Sequence, residues 1–239
     1  MEDYLNLPLL LPPEALALIS SSAMSRAQKL LSASLVTQSL ITPYRYPKSH
    51  KDILNIDVSH FLNHRINTKL IGAIGEELAQ EISLFTPDLV FTAPSSGNFL
   101  ALATATFLPG IPDVIYAPKG IPLSQNTAYQ INSHSFRYGK KVKLSVAADC
   151  LPTGAKVAIC DDFLDTGRTM MELMDIISQA QARTVTAFFV IEKPFNGRSN
   201  LVSLGIPNEA IVSLVKIDSL RPRKIKLAGF NYWFELMRK

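Results

Sequence analysis

The sequence predicts an α/β fold: a central, mainly parallel sheet with helices on both faces. Three observations carry this. From about residue 67, short apolar and β-branched runs alternate with segments of helical period, the pattern of strands joined through crossover helices. Within that alternation, residues 156–170 read Lys-Val-Ala-Ile-Cys-Asp-Asp-Phe-Leu-Asp-Thr-Gly-Arg-Thr-Met, a buried strand running into two carboxylates and a small Gly-containing turn. Beyond the turn, Met170, Met171, Leu173, Met174, Ile176 and Ile177 recur with helical spacing. The third observation is an interruption. Residues 119–155 are polar and hydroxyl-rich and strand-like in two halves, which predicts a flexible β-hairpin arm of the kind that serves as a lid.

In chain order, Pro12-Pro13-Glu14 reads as a helix start, and Leu16, Ile19, Met24, Ala27, Leu30, Leu31 and Leu35 continue one apolar stripe. Thr42-Pro43-Tyr44-Arg45-Tyr46-Pro47-Lys48-Ser49 then reads as a linker. The expected organisation is therefore a helical extension with linker over 1–50 and a main domain over 51–239. A helix is expected over 67–84, with Leu70, Ile71, Ile74, Leu78 and Ile82 on one face, then a strand over 89–93 and a turn at Ser95-Ser96-Gly97. A helix over 99–108 and strands over 113–117 and 156–160 follow. A helix over 170–180 leads to strands over 184–192 and 210–217, which complete the list.

Composition sets bounds. The chain has 239 residues, 47% hydrophobic and 18% charged, enough for one sizeable core. No apolar run approaches bilayer length, so no membrane association is expected. Cys150 and Cys160 are too few for a disulfide framework, and a reducing, cytoplasmic setting is the default. Residues 15–51 lack acids in the manner of a transit peptide, but Glu2, Asp3 and Glu14 speak against one. The net charge of +4 is concentrated in 137–143 and 216–226. Neither stretch interleaves aromatics as a nucleic-acid stacking surface does, so no nucleic-acid partner is expected.

The chemistry is centred on 161–169. Backbone N–H groups of the turn and the following helix N-terminus suit a phosphate, with the Thr166 and Thr169 hydroxyls adding donors. Asp161 and Asp162 stand one step earlier, where a sugar diol or its Mg²⁺ would lie. The competing reading is an ordinary strand–turn–helix corner.

This stretch resembles the phosphoribosyl-pyrophosphate motif of the type I phosphoribosyltransferases: strand, two acids, two apolar residues, Asp-Thr-Gly-x-Thr. From about residue 53 the chain is similar to the xanthine branch of that family. Ile53-Leu54-Asn55-Ile56-Asp57 and Phe61-Leu62-Asn63-His64-Arg65-Ile66 resemble Leu-x-Val-Asp-Ser-Phe-Leu-Asn-His-Gln-Ile, with a small insertion before Phe61. Ala93-Pro94-Ser95-Ser96-Gly97 stands at the pyrophosphate loop, Tyr116-Ala117-Pro118-Lys119 resembles Phe-Ala-Arg/Lys-Lys, and Ser133-His134-Ser135-Phe136 resembles the flexible loop. Ile191-Glu192-Lys193-Pro194-Phe195…Gly197-Arg198 resembles Ile-Glu-Lys-Ser-Phe…Gly-Arg.

The resemblance implies a small hood beside the sheet, a homodimer, and transfer of ribose-5-phosphate from phosphoribosyl pyrophosphate to a 6-oxopurine with Mg²⁺. It implies that Thr166, Gly167, Arg168 and Thr169 hold the 5′-phosphate, and that Asp161 and Asp162 face the ribose hydroxyls within reach of Mg²⁺. Ser95, Ser96, Gly97 and Lys119 would take the pyrophosphate, and Ser135 and Phe136 would work in the closing arm. Leu54, Asn63 and Lys193 would meet the purine, Lys193 at its 6-carbonyl; an ammonium has donors only and so rejects an exocyclic amine. Asn63 also reads as a helix cap, and Lys193 as a surface lysine at a strand end. His60 and His64, four apart, read as structural.

One departure matters. The xanthine branch has Ala-Asn-Gly where this chain has Asp165-Thr166-Gly167, the form of the hypoxanthine-guanine enzymes. Asp165 is then a candidate general base, or a helix N-cap carboxylate, and xanthine, hypoxanthine and guanine all stay open. Two other readings compete: a non-catalytic regulator binding phosphoribosyl pyrophosphate on the same fold, and an enzyme for adenine or orotate.

Overall fold

A computed structural model describes residues 7–45, 52–118, 128–135 and 140–238. Twelve strands and six α-helices are assigned among them. They are β1 (Leu9–Leu10), α1 (Pro12–Ser21), α2 (Arg26–Gln38), β2 (Leu40–Arg45), β3 (Asp52–Asp57), α3 (Thr68–Ile82), β4 (Leu89–Thr92), α4 (Ser96–Ala105) and β5 (Asp113–Tyr116). The hairpin β6 (Ala128–Ser135) and β7 (Lys140–Ala147) follows. Then come β8 (Lys156–Leu164), α5 (Arg168–Gln179), β9 (Arg183–Glu192), α6 (Gly197–Ser203), β10 (Ile211–Arg221), β11 (Lys224–Leu227) and β12 (Trp233–Glu235).

The main sheet runs β1-β12-β11-β10-β9-β8-β4-β5. The strands β10, β9, β8, β4 and β5 are mutually parallel, as the alternating pattern predicts, while β11 and β12 add antiparallel strands at one side. Burial alternates along β8: Ala158 and Cys160 face one apolar cluster with α2, α3 and α4, and Val157 and Ile159 face another with α5. Both faces are covered, which is why these strands read as near-continuous apolar runs. The strand order reverses between β4 and β8. In open parallel sheets the crevice at such a reversal, above the C-terminal strand ends, is where ligands sit. The loops after Thr92 and after Leu164 both rise there.

The expected arm is an antiparallel hairpin, Ala128 opposite Ala147 through Ser135 opposite Lys140. Its start is pinned to α5 by the Gln179 amide, which accepts from the Gln130 N–H (3.1 Å) and donates to the Gln130 carbonyl (3.0 Å).

Several expectations are corrected. The apolar stripe from Leu16 to Leu35 is two helices. Ser25 starts the second, accepting from the Gln28 N–H at 3.1 Å while Gln28 accepts the Ser25 N–H at 3.0 Å, a reciprocal cap. The expected linker at 42–49 is, over Thr42–Arg45, part of strand β2, paired antiparallel with β3; residues 46–49 lie outside the described residues. Pro43 is tolerated because this two-stranded sheet is all edge. Ser96 and Gly97 belong to the first turn of α4 rather than to a preceding turn. The strand expected over 156–160 extends to Leu164 and carries both acids with it. The strand list did not end at 217 either. β11 and β12 follow, and the N-terminal Leu9–Leu10 joins β12 in parallel.

The basic stretch over 216–226 is largely self-paired. Lys226, 4% exposed, bonds Asp218 at 2.8 Å, Arg223 bonds Glu235 at 3.2 Å, and Arg221 stacks 4.6 Å from the Trp233 ring centroid.

Candidate functional site

Two loops and a two-stranded hood converge above the sheet. On the β8 side, Gly167 has φ 78°, a left-handed conformation that L side chains rarely adopt, and this turn lets the chain leave β8 and enter α5 at once. Gly167 is the N-cap and no side chain caps this helix. The first-turn N–H groups therefore face the loop, and the cap reading of Asp165 is set aside. The loop rests on α6: the Asn200 amide donates to the Thr166 carbonyl at 2.9 Å, and Gly197 packs directly beneath Asp165. Arg168 is half-exposed and bonds the buried Glu172 one turn on at 3.1 Å.

On the β4 side, Thr92 is buried and donates its hydroxyl to the Cys160 carbonyl at 2.9 Å, locking β4 to β8 where the acids begin. The Pro94–Ser95 peptide is cis. Gly97 then passes so close that a Cβ there would meet the Thr92 hydroxyl oxygen at 2.1 Å and the Asp161 Oδ1 at 3.4 Å. The Ser95-Ser96-Gly97 segment thus lies directly beside the acid pair.

Asp161 accepts the Asp162 N–H at 2.9 Å. Burial, and then the charge of Asp162, push the Asp161 carboxyl well above the usual carboxylate range. Two adjacent carboxylates are hard-oxygen donors that suit a divalent cation. Mg²⁺ binds through one or two carboxylates while keeping waters and substrate oxygens, so the pair fits it without a third protein ligand. Among the described residues no group of three or more His, Cys, Asp or Glu is placed to hold a metal. Cys160, fully buried, has its thiol pushed well up by burial and then by Asp161; it is a core residue.

The hood supplies Asn63, which donates to Asp162 Oδ2 at 3.3 Å. It sits at the end of the Ser59–Asn63 turn. That turn is set by Asp57, whose carboxylate accepts the Ser59 N–H at 2.8 Å and bonds Arg238 at 3.3 Å. Burial raises the Asp57 carboxyl, but the bond from Ser59 and the charges of Arg238 and His60 outweigh it and hold it low. The helix cap is Asn67, not Asn63, bonding the Leu70 N–H at 3.1 Å. Leu54 lies partly buried against the first core cluster.

Lys193 is no surface lysine. It is 7% exposed, and its ammonium donates to Asn55 Oδ1 at 3.0 Å and to Asp165 Oδ2 at 3.4 Å, 4.5 Å from the Phe163 ring centroid. The strand end that carries it is fixed by Arg198, which bonds Glu192 at 2.7 Å, the Asn208 carbonyl at 3.1 Å and the Ile211 carbonyl at 2.9 Å. Burial pushes the Glu192 carboxyl up, but the bonds from Arg198 and Ser213 hold it below its ordinary value.

The structure therefore brings together Ser95, Ser96 and Gly97, the acids 161, 162 and 165, the 166–169 turn, Asn63 and Lys193. Lys119 and Phe136 lie outside the described residues; Ser135 ends β6, with its backbone alone described. Sequence reasoning missed Asn55 and Asn200. The signal for Asn55 was a single amide inside the apolar run Ile53–Ile56.

Comparison with known proteins bears on the family and the fold. No protein-family model matches the chain. The xanthine phosphoribosyltransferase of Chloroflexus aurantiacus is 45% identical over 171 residues, covering 71% of this chain and 79% of that one. That of Deinococcus deserti is 34% identical, covering 68% and 84%. Among solved structures, adenine phosphoribosyltransferase from Trypanosoma brucei superposes with a TM-score of 0.61 at 14% identity, covering 82% of this chain and 81% of that one. The Giardia lamblia enzyme complexed with 9-deazaadenine gives 0.60 at 17%, covering 78% and 97%. These structural matches speak to the fold.

Proposed function

The chain belongs to the xanthine phosphoribosyltransferase family, and we propose that xanthine is its first base, with hypoxanthine and guanine behind it. It is a purine phosphoribosyltransferase, a glycosyltransferase-class enzyme of purine salvage. The regulator reading has no support among the relatives, which carry an enzyme's name. The observation that carries the reading is the Asp161–Asp162 pair, set between the 95–97 segment and the 166–169 turn, with Asn63 and Lys193 above it.

In this reading Thr166, Gly167, Arg168 and Thr169 hold the 5′-phosphate at the uncapped start of α5. Ser95, Ser96 and Gly97, with Lys119, take the pyrophosphate. Asp161 and Asp162 face the ribose hydroxyls and would hold Mg²⁺, which when bound would supply positive charge against that of the pyrophosphate. As the sugar carbon becomes cationic, dipoles at the leaving group and exclusion of water lower the barrier. The β6–β7 arm, with Ser135 and Phe136, is our candidate for that exclusion. Asn63 and Leu54 line the purine, Lys193 meets its 6-carbonyl, and Asp165 takes the ring-nitrogen proton.

We further propose a homodimer formed through the half-exposed apolar face of α4, where Phe99 is 47% and Leu102 60% exposed. No helix of the described residues is long and apolar enough to cross a membrane, and Cys150 and Cys160 are free thiols. A reducing, cytoplasmic setting is the proposal that suits them. Residues 1–50 serve, in this proposal, as a brace for the domain over 51–239 rather than as a separate module.

The test is pyrophosphate release with phosphoribosyl pyrophosphate and Mg²⁺, comparing xanthine, hypoxanthine, guanine and adenine. Turnover on 6-oxopurines with xanthine leading is expected. Preference for adenine would overturn the assignment of Lys193, and absence of turnover on every base would overturn the proposed reaction.

A further inference from the structure

Lys193 directly follows β9, Asp165 belongs to the phosphate loop and Asn55 to the hood strand β3; all three meet at one ammonium. An ammonium carries three protons and accepts nothing. The amide must therefore present its oxygen to Lys193, as the 3.0 Å contact with Oδ1 has it. Asp165 takes a second proton at 3.4 Å. The Phe163 ring stands on one side at 4.5 Å, and the third N–H has no oxygen acceptor among the described residues. Resting on the reading of Lys193 as the group that meets the base carbonyl, we propose that Asn55 is a positioning residue for base recognition, sharing the ammonium with Asp165 and fixing it so that its remaining N–H faces the purine.

Two acceptors compete for the ammonium. With Asn55 gone, Asp165 is the remaining charged acceptor, and Coulomb attraction draws the ammonium toward it and off the base. A neutral amide prevents this without adding charge. The contact also crosses from hood to sheet, so the distance between purine and ribose phosphate is set in part by one hydrogen bond. Asn55 occupies the unconstrained position of the Leu-x-Val-Asp segment, and Asp165 stands where the xanthine branch has Ala.

The experiment is steady-state kinetics with Mg²⁺ and 6-oxopurines on the full chain and on Asn55→Ala, Asn55→Asp, Lys193→Met and the double variant Asn55→Ala/Lys193→Met. Asn55→Ala is expected to raise KM for the base about tenfold, while KM for phosphoribosyl pyrophosphate stays within about twofold, as expected for loss of one charge-assisted bond to the group that meets the base. Asn55→Asp keeps an acceptor and recovers most of the loss. In the Lys193→Met background, removing Asn55 has no further effect on the base. An Asn55 effect that persists in that background, that moves both substrates equally, or that Asp does not rescue overturns the proposal. Should Asn55→Ala fail to fold, Asn55→Ser, too short to reach the ammonium, takes its place, and wild-type behaviour from it overturns the proposal. Wild-type protein inactive on every 6-oxopurine would sink the parent reading, and base affinity unchanged in Lys193→Met would sink the role of Lys193. A weakened Lys193→Met with an independent Asn55 effect sinks this inference alone.

Discussion

Gly197 lies so close beneath Asp165 that a Cβ at position 197 would stand 2.4 Å from the Asp165 carbonyl oxygen. The other atoms it would meet belong to Leu164, at 2.7 and 2.9 Å. Backbone and a buried side chain both give way poorly, so Gly197→Ala forces the phosphate loop upward. The expected outcome is a rise in KM for phosphoribosyl pyrophosphate of about tenfold or more, with a fall in kcat, because displacement of positioning groups by about 1 Å carries large penalties. Kinetics at varied phosphoribosyl pyrophosphate would check this; an unchanged KM would show that the loop does not lean on α6.

Thr104 makes the opposite prediction. It is fully buried on α4, and its hydroxyl has no hydrogen-bond partner among the described residues. Valine has the same shape and no hydroxyl to desolvate, so Thr104→Val should stabilise the protein by about 1 kcal/mol. Denaturant unfolding of the two proteins measures it, and a destabilised valine variant would mean the hydroxyl does find a partner.

The ion pair behind Lys193 gives a pH signature. The Glu192 carboxyl is held below its ordinary 4.5 by Arg198 and Ser213 against the cost of burial. A depressed folded-state pKa contributes stability that is complete above the unfolded value and is lost as pH falls through the folded one. Glu192→Gln should therefore be less stable than wild type by about 1–3 kcal/mol near neutral pH. The gap should begin to close below about pH 4.5, the unfolded value for a glutamate. Thermal melts of both proteins between pH 3 and 7 test it; a gap that widens on acidification contradicts the assignment.

Removal of the N-terminal fifty residues should cost the fold. Leu31, Leu35 and Val36 are fully buried, Gln28 donates to the Leu214 carbonyl at 3.0 Å, and Val36 accepts the Met237 N–H at 2.9 Å. Each fully buried aliphatic side chain contributes about 1.5–3 kcal/mol relative to exposure, so deleting α1 and α2 removes an amount comparable to the net stability of an ordinary domain. Circular dichroism of a chain starting at Lys51 is the measurement. A folded, active truncation would show that these helices are dispensable.

Much of this was legible beforehand, and the failures have physical causes. The β8 loop could be read because a buried parallel strand, two acids and a helical stripe each leave a separate mark within fifteen residues. The hairpin arm could be read from its hydroxyl-rich halves. Strand β2 was missed because two prolines look like a linker unless the partner strand is known, and β11 because Lys224-Ile-Lys-Leu reads as a basic run. Its alternation was the true signal: Ile225 and Leu227 are fully buried, and Lys226 is buried on Asp218. The pairs β1 with β12 and Asn55 with Lys193 join residues far apart in sequence, so no local pattern announces them.

The pairing of Leu9–Leu10 with Trp233–Phe234 also bears on how the chain comes into being. Synthesis releases the N-terminus first, yet the edge it joins is made of residues near the other end. Until those emerge, α1 and α2 carry an apolar stripe whose seat on the sheet is incomplete. Long-range pairing of this kind slows folding and leaves partly folded chains prone to association. A nascent chain of this protein should therefore reach protease resistance only after the last strand clears the ribosome, and a stall shortly before residue 233 should yield aggregate in place of a nearly finished enzyme.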